Sequence, residues 1–573
     1  MPESSSHPEI KNPLLKEFLQ APLTQLERDF LQNNLTESES SASFAGLPGF
    51  GTGGMRATVA LGSNHLNRYV IARLNLALGK ILSTEFPGGK VVIGYDSRLT
   101  SVEFSRIAYH ILKSFGMQVK VFKRVVPTPM VSFAIRELKA HSGIVITASH
   151  NPPEYNGFKV YWNDGAQIIS PYDKNIEALF KQLSFADVPE QVHHYAETKV
   201  EPADLIEAEI TAAYLERLKK EAFVTTGEKK KAILYSPLHG TGGWIFERAF
   251  AELNFKNFSI IASQKEPDGN FPATKSANPE DKIAFEALVA EGLKKQIPTL
   301  IATDPDADRV GVAVLKNNEY HFLTGNQIGS LLLQSIGAAQ RGKDGYICKT
   351  IVTTELQKRI ADDMGFETIE TLTGFKFIAE VVGNDPERYI FGGEESYGYL
   401  PVPWVRDKDS LSAAVALAEL AENSDLLESL DQLHLKYGIY TERLHNVQLS
   451  ANGTVSMQQT MGKFENPAEL LHNALPGYQI FDVLDLRKSG AVPKSDRARH
   501  LKSTLPAADV IQYWLEPEGR LTIRPSGTEP KIKIYLSIRT EPPSDKSDLP
   551  GARQAADNKA DQLLSAFLKI LGL

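Results

Sequence analysis

Several short stretches combine residue types whose spacing could do chemistry. In TASHNPPEYNGFKVYW, residues 147–162, the small hydroxyl of Ser149 stands between Ala148 and His150, and two prolines follow almost at once. Proline fixes φ and removes a donor, so the loop is stiffened on its C-terminal side. Asn156-Gly157 is a hairpin signal ahead of an alternating run that reads as a strand, and a turn there would fold Lys159 back towards the serine. This is the layout of a reactive hydroxyl held in one place.

In TDPDADRVG, Asp304, Asp306 and Asp308 occupy alternate positions just after the apolar run TLIAT. Carboxylates this close repel one another unless something positive lies between them. A hard divalent cation does that with oxygen ligands. An EF-hand does not fit: counted from Asp304, the sixth position is Arg309 rather than glycine and the twelfth is Leu315 rather than glutamate. The plain alternative is a solvated acidic loop. Metal binding is favoured because the loop follows a strand's C-terminal end between two apolar strands, where α/β sites gather. Magnesium is the favoured ion, since it usually keeps room for a phosphate oxygen.

RPSGTEPK joins the guanidinium of Arg524 to the hydroxyls of Ser526 and Thr528 and to Gly527, the parts of a phosphate cradle. The alternative is an ordinary turn with a surface arginine. GGEESYGYL sets Glu394, Glu395 and Ser396 in a glycine-flanked loop, which suits sugar hydroxyls or is an acidic surface turn. GFGTGGMR matches G-x-G-x-x-G through Gly49, Gly51 and Gly54, but no clear strand precedes it and a dinucleotide fingerprint needs one, so NAD is rejected. Arg56 at its end remains as a candidate anion contact. No Gly-Lys pair is followed by Ser or Thr, so there is no Walker lysine.

The elements that must position these groups alternate strand with helix. NRYVIARLNLALGKIL reads as a helix, KVVIGYDSR as a buried strand ending in polar residues, SVEFSRIAYHILKSFG as a helix and SGIVITASH as a strand. The alternation restarts at KKKAILYSPLHGTGG and again at TGNQIGSLLLQSIG, the signature of α/β layers. The last ~130 residues read as an antiparallel sheet with helices, ending in ADNKADQLLSAFLKIL, with RTEPPSDKSDLPGARQ as its main polar loop. The first ~40 residues read as short helices. The domains expected are residues 1–205, 206–320, 321–440 and 441–573.

Size and composition fit this reading. A chain of 573 residues suggests several domains, and 42% hydrophobic with 23% charged residues is a globular composition. A net charge of −8 argues against a general nucleic-acid or membrane-surface binder. The single cysteine, Cys348, fits a reducing compartment and a buried core thiol. With no signal-peptide pattern and no long apolar run, a soluble cytoplasmic protein is expected.

In this order GTGGMR, TASHNPPEYNGFK, DPDADR, GGEESYG and RPSGTEPK resemble the successive signature loops of the α-D-phosphohexomutase family. The resemblance covers nearly the whole chain beyond the first ~40 residues. It implies four domains around a central cleft: three similar α/β mixed-sheet domains and a C-terminal α+β domain. Each would carry one task in turn: phosphoserine, metal, sugar recognition and phosphate grip. It implies that Ser149 is the phosphoserine, that magnesium lies between Asp304, Asp306, Asp308 and that phosphate, and that Arg309 touches the phosphate. Glu394 and Ser396 match the sugar loop; Arg524, Ser526, Gly527 and Thr528 match the grip on the non-transferring phosphate. Lys159 and Lys376 are candidates for proton transfer, His150 and Arg56 for contacts beside the serine, and Lys408 for substrate phosphate. The loop GEESYG and the long chain look like the phosphoglucomutase branch that shades into phosphopentomutases. The activity implied is interconversion of glucose 1-phosphate and glucose 6-phosphate, an intramolecular phosphotransfer through glucose 1,6-bisphosphate as intermediate and activator. Pentose or mannose phosphates, a glucose 1,6-bisphosphate synthase and a non-enzymatic phosphosugar-binding regulator are the alternatives. The partners expected are small sugar phosphates, with no nucleic acid, membrane or obligate protein.

Overall fold

The computed structural model describes residues 12–51, 53–448, 457–464, 475–488, 493–525 and 531–570. The chain forms two units: Met1–Leu323 with Ala379–Pro386 and Gly398–Val415, and Thr324–Ile378 with Glu387–Tyr397 and Ala416–Leu573.

The first unit holds two mixed sheets. Strands Gly54–Thr58 (β1), Lys90–Tyr95 (β2), Gln118–Phe122 (β3), Ser142–Ile146 (β4), Tyr155–Trp162 (β5) and Leu205–Ile206 (β6) lie in the order β1-β5-β4-β2-β3-β6. β2, β3 and β4 run parallel, and β5 returns antiparallel to β4 and β1. β4 is buried at every residue and β2 from Val91 to Tyr95, as expected of parallel strands covered on both faces. Helix Arg68–Glu85 starts where the Asn67 side chain accepts from the Tyr69 and Val70 N–H groups. The second sheet joins Ile233–Ser236 (β7), Phe258–Ile260 (β8), Thr299–Thr303 (β9), Val310–Lys316 (β10) and Glu319–Phe322 (β11) in the order β11-β10-β9-β7-β8. The short N-terminal helices, Pro13–Phe18, Gln25–Asn33 and Glu37–Ser43, appear as expected. Phe18 is fully buried against Phe44, Tyr69 and Phe185.

Residues 398–415 return to this first unit as a strap that includes Tyr399–Leu400 (β15). The Tyr161 hydroxyl donates to Asp407 at 2.6 Å, the Tyr214 hydroxyl to Asp409 at 2.5 Å, and Arg136 to the Trp404 carbonyl at 2.7 Å.

In the second unit, Tyr346–Thr350 (β12), Glu367–Thr371 (β13) and Tyr389–Gly393 (β14) pair in parallel, with helices Gly325–Ala339 and Glu355–Met364 beside them. Cys348 is buried in β12, the core thiol expected. The C-terminal sheet is antiparallel: Ile439–Gln448 (β16), Gln479–Asp485 (β17), Ile511–Glu516 (β18), Gly519–Pro525 (β19) and Lys531–Thr540 (β20), in the order β16-β20-β19-β18-β17. Leu521, Ile523, Ile534 and Leu536 pack with Phe567 of helix Leu549–Ile570. Three α/β domains and one with an antiparallel sheet are therefore present, as expected.

Three local expectations differ. Asn156 and Gly157 lie inside β5 rather than at a hairpin; the turn comes earlier, where Tyr155 N–H donates to the Pro152 carbonyl at 3.1 Å. Glycine stands at 157 because a Cβ there would lie 2.2 Å from the Thr147 carbonyl oxygen. The GTGGMR segment, read as loop, enters β1 at Gly54 and pairs Arg56 with Gly157. The last helix starts at Leu549, inside the stretch read as polar loop, because proline is tolerated in a helix's first turn.

Candidate active site

Ser149 follows β4 in a loop that a single arginine pins. The guanidinium of Arg98 donates to the carbonyls of Ser149, Asn151, Pro152 and Tyr155, and its Nε lies 3.2 Å from Asp96 Oδ2. Both Asp96 and Arg98 are buried. Asp96 also accepts from the Ser101 hydroxyl and the Arg98 N–H, which fixes it at the end of β2. Ser149 itself has φ +52°, a left-handed conformation rare for a residue with a Cβ. Its N–H donates to Thr147 Oγ1 at 2.8 Å, and its hydroxyl donates to Asp304 Oδ2 at 2.6 Å. His150 Nδ1 lies 3.1 Å from the same hydroxyl. Burial, with the charges of Arg309 and Arg56, holds the His150 imidazole well below its usual pKa.

The acidic loop spans β9 and β10. Asp304 and Asp306 are fully buried and Asp308 is 2% exposed. One carboxylate oxygen from each lies within 4.8 Å of the others. Asp304 Oδ1 accepts from the N–H groups of Asp308 and Arg309, which curls the loop. Glycine is needed at 240, in SPLHGTGG, because a Cβ there would lie 2.3 Å from Pro305 Cα; the Thr241 N–H then donates to the Pro305 carbonyl at 2.7 Å. Thr128, at the start of helix Thr128–Glu137, donates its N–H to the Asp306 carbonyl and its hydroxyl to Asp306 Oδ2.

Two ammonium groups meet this cluster. Lys159 Nζ lies 2.9 Å from Asp306 Oδ2 and 3.4 Å from Asp308 Oδ2; Lys408 Nζ lies 3.1 Å from Asp308 Oδ2 and from Asp407 Oδ1. Burial alone would lower the Lys159 pKa, but Asp306 and Asp308 more than offset it and the net shift is upward. Burial, then Asp306 and Asp308, push the Asp304 carboxyl well above the usual range. Oδ1 of Asp306 and Oδ1 of Asp308 are buried and meet no donor among the described residues. Oxygens left this way in a hard donor set fit a divalent cation.

Arg56 is exposed and donates to Asn151 Oδ1 at 2.8 Å, so it touches the serine loop. Arg309 pairs with Glu280. The structure thus brings Ser149, His150, Lys159, the three aspartates, Arg309 and Lys408 together within the first unit. Lys408 reaches the carboxylates by way of the strap.

The remaining expected residues lie in the second unit. Glu394 is buried and accepts the Gly374 N–H at 2.9 Å; Ser396 is half-buried in the same loop. Lys376 stands on helix Phe375–Asn384 with its ammonium over the Phe377 ring. Arg524, near the end of β19, donates to the Tyr535 hydroxyl at 3.4 Å. Ser526, Gly527 and Thr528 lie outside the described residues.

Arg98, Asp96, Thr128 and Asp407 did not stand out in the sequence. The YDSR ending on a buried strand was the available signal for the first pair. Nothing local marks Thr128 or Asp407, because their partners are far away in the chain.

Comparison with known proteins agrees with this architecture. Models of phosphoglucomutase/phosphomannomutase α/β/α domains I, II and III match residues 48–187, 212–317 and 324–437. A phosphoglucomutase of Staphylococcus saprophyticus is 32% identical over 90% of this chain and 95% of its own. One from Staphylococcus aureus is 33% identical over 92% and 93%. Among solved structures, parafusin, a phosphoglucomutase from Paramecium, aligns with TM-score 0.65 at 18% identity, covering 92% of this chain and 96% of that one. A phosphoglucomutase/phosphomannomutase family protein from Burkholderia thailandensis aligns with TM-score 0.64 at 18% identity over 91% and 97%. The chain belongs to the phosphoglucomutase/phosphomannomutase family, the α-D-phosphohexomutases.

Proposed function

We propose that the protein is a phosphoglucomutase that interconverts glucose 1-phosphate and glucose 6-phosphate through phospho-Ser149 and glucose 1,6-bisphosphate. One observation carries the reading: the Ser149 hydroxyl is held 2.6 Å from Asp304 beside two further carboxylates that each keep one buried oxygen without a donor among the described residues. The curated relatives named phosphoglucomutase support the same activity.

Asp304, Asp306 and Asp308 would hold the cation, and magnesium suits their hard oxygens. When bound it supplies charge neutralisation to the transferring phosphoryl group. The chain's own residues do the rest. Arg98 fixes the serine loop, so the seryl oxygen stays in line with an incoming sugar hydroxyl. In the first transfer the phosphorus–oxygen bond to Ser149 breaks as one to the sugar oxygen forms. The sugar hydroxyl proton passes to the seryl oxygen, with Lys159 placed to relay it. The second transfer reverses this at the other phosphate of the bisphosphate. Arg56, His150, Arg309 and Lys408 are assigned to phosphate near the serine. By family resemblance, Glu394 and Ser396 are assigned to sugar hydroxyls, Lys376 to a proton near the sugar, and Arg524, Ser526, Gly527 and Thr528 to the non-transferring phosphate. The lone buried cysteine suits the cytoplasm; among the described residues no helix is long and apolar enough to cross a membrane.

The test is intact-mass spectrometry after incubation with glucose 1,6-bisphosphate and magnesium, joined to a coupled assay for glucose 6-phosphate. A phosphate adduct on Ser149 and bisphosphate-dependent turnover are expected. Full turnover by Ser149→Ala would overturn the reading. The family description also names phosphomannomutases, so mannose 1-phosphate belongs in the panel and should be turned over more slowly.

A further inference from the structure

The strap at residues 398–415 carries Lys408 to the acidic loop and is fastened on both sides of that residue. Before it, Trp404 packs edge-on to Tyr214 and Phe133, with ring centroids 4.9 and 5.4 Å away, and the Arg406 N–H donates to the Ser132 hydroxyl at 2.9 Å. After it, the Tyr214 hydroxyl donates to Asp409 and the Ser410 hydroxyl to the Ala307 carbonyl. These contacts dock the strap without help from Asp407.

Asp407 is buried, and both its oxygens are engaged locally. Oδ2 accepts from the Tyr161 hydroxyl at 2.6 Å. Oδ1 accepts from the Lys408 N–H at 2.8 Å and lies 3.1 Å from the Lys408 ammonium. β5 thus fixes the carboxylate through Tyr161, and the carboxylate fixes the ammonium. Gly398 shapes the path of the stem: a Cβ there would lie 2.1 Å from Lys408 Cδ and 2.8 Å from Cγ. The backbone of Gly398 pairs with that of Arg309, so the lysine stem crosses the start of the strap where it meets the acidic loop. A lysine is a point charge on a flexible stem, and unguided it spreads over many rotamers. Transfer of a phosphoryl group needs its partners at fixed distances.

We propose that Asp407 and Gly398 are positioning residues that aim the Lys408 ammonium at the phosphoryl group being transferred. The proposal rests on Ser149 as the phosphoryl carrier and Lys408 as a phosphate contact. Asp407 holds the charged end, Gly398 leaves room for the stem, and both act through Lys408.

The experiment compares the full-length parent with Asp407→Asn, Gly398→Ala, Lys408→Met and the double variant Asp407→Asn/Lys408→Met. Turnover is measured with glucose 1-phosphate, glucose 1,6-bisphosphate and magnesium, and rates are taken per phosphorylated Ser149 counted by intact mass. Asparagine keeps the size of Asp407 and removes its charge. Alanine at 398 meets only the lysine stem, and the position is not left-handed, so the backbone is not strained. Each single variant should lower kcat by about tenfold or more and change KM for glucose 1-phosphate by less than about threefold, since the aim matters in the transition state. In the Lys408→Met background, Asp407→Asn should cost less than about twofold more. A mere strap anchor would cost as much in either background. Reductive methylation of Lys408, read by peptide mass, gives a measure independent of turnover: the side chain is 11% exposed, and labelling should speed up in Asp407→Asn and Gly398→Ala. A parent that takes no phosphate on Ser149 sinks the mutase reading and this phosphate role with it. Where the parent does take phosphate, the proposal alone is overturned by parental kcat in Lys408→Met or in both positioning variants. It is likewise overturned if Asp407→Asn is as harmful without Lys408 as with it, or if labelling is unchanged in both variants.

Discussion

In the first unit Asp304, Asp306 and Asp308 face Lys159 and Lys408; in the second, Glu355 and Glu370 face Lys349, Arg497 and Arg520. Both clusters are buried, yet they are finished differently. Every glutamate oxygen of the second has a cation: Glu355 meets Arg520 at 2.7 Å, Arg497 at 2.6 Å and Lys349 at 3.1 Å, while Glu370 meets Arg497, Arg520 and Lys349. Burial would raise the Glu370 carboxyl, but these three cations hold it at about 2. The aspartate cluster instead keeps two buried oxygens without donors. One arrangement fastens two domains, and the other leaves capacity for an ion that arrives later.

The largest effect that would break this contrast is on Ser149. Ser149→Ala should lower turnover by roughly a thousandfold or more and abolish the phosphate adduct, because it removes the oxygen proposed to carry the phosphoryl group. Its melting temperature should stay near that of the parent. Rate assays and intact mass check both.

Asp304→Asn comes next. It removes one of three mutually repelling carboxylates while keeping an oxygen for the Asp308 and Arg309 N–H groups. Without metal it should melt at or above the parent temperature. Metal affinity and activity should fall by roughly a hundredfold, the upper range for disturbing ligands around an ion. Titration with magnesium in calorimetry would show it; a large loss of metal-free stability would put the aspartates in the fastening class.

Glu370→Gln sharpens the other side. It strips a partner from the buried Lys349 and Arg520 and the half-buried Arg497, and breaking such a network costs about 3–5 kcal/mol. The second unit should unfold at clearly lower denaturant, while Ser149 still takes phosphate from glucose 1,6-bisphosphate. If stability is unchanged, the glutamate cluster is not a fastener.

The smallest effect is a pH dependence. His434 is buried beside Arg553, and burial followed by that charge lowers its pKa to about 3. The unfolded chain takes up this proton near pH 6.5 and the folded one does not, so stability rises with pH up to about 6.5 and falls below it. His434→Gln should flatten the stability curve between about pH 5 and 6.5, above the carboxylate range. Denaturant midpoints across that range would show the slope or its absence.

Much of this site was legible because its parts are local. The alternation of three aspartates, the serine beside two prolines and the strand–helix rhythm are patterns of a few residues each. Gly157 was read for the wrong reason: Asn-Gly signals a turn, but here the glycine lets β5 approach the Thr147 carbonyl. Arg98 escaped notice because its four acceptors are backbone carbonyls some fifty residues away, and a carbonyl carries no sequence signal. Thr128 and Asp407 escaped likewise, with partners at Asp306 and Tyr161.

The strap at residues 398–415 has a consequence for how the chain is made. The first unit is nearly complete in sequence by Leu323, yet the lysine that reaches Asp308 and the acceptors of Tyr161 and Tyr214 come from residues 407–409. During synthesis these buried hydroxyls and this carboxylate must wait for about 85 further residues beyond Leu323 to emerge. A nascent chain stopped at 323 would therefore expose polar groups built to be covered, and supplying 398–415 in trans should protect it from protease. The serine-bearing half is thus finished late, by residues that are synthesised within the sequence of the other half.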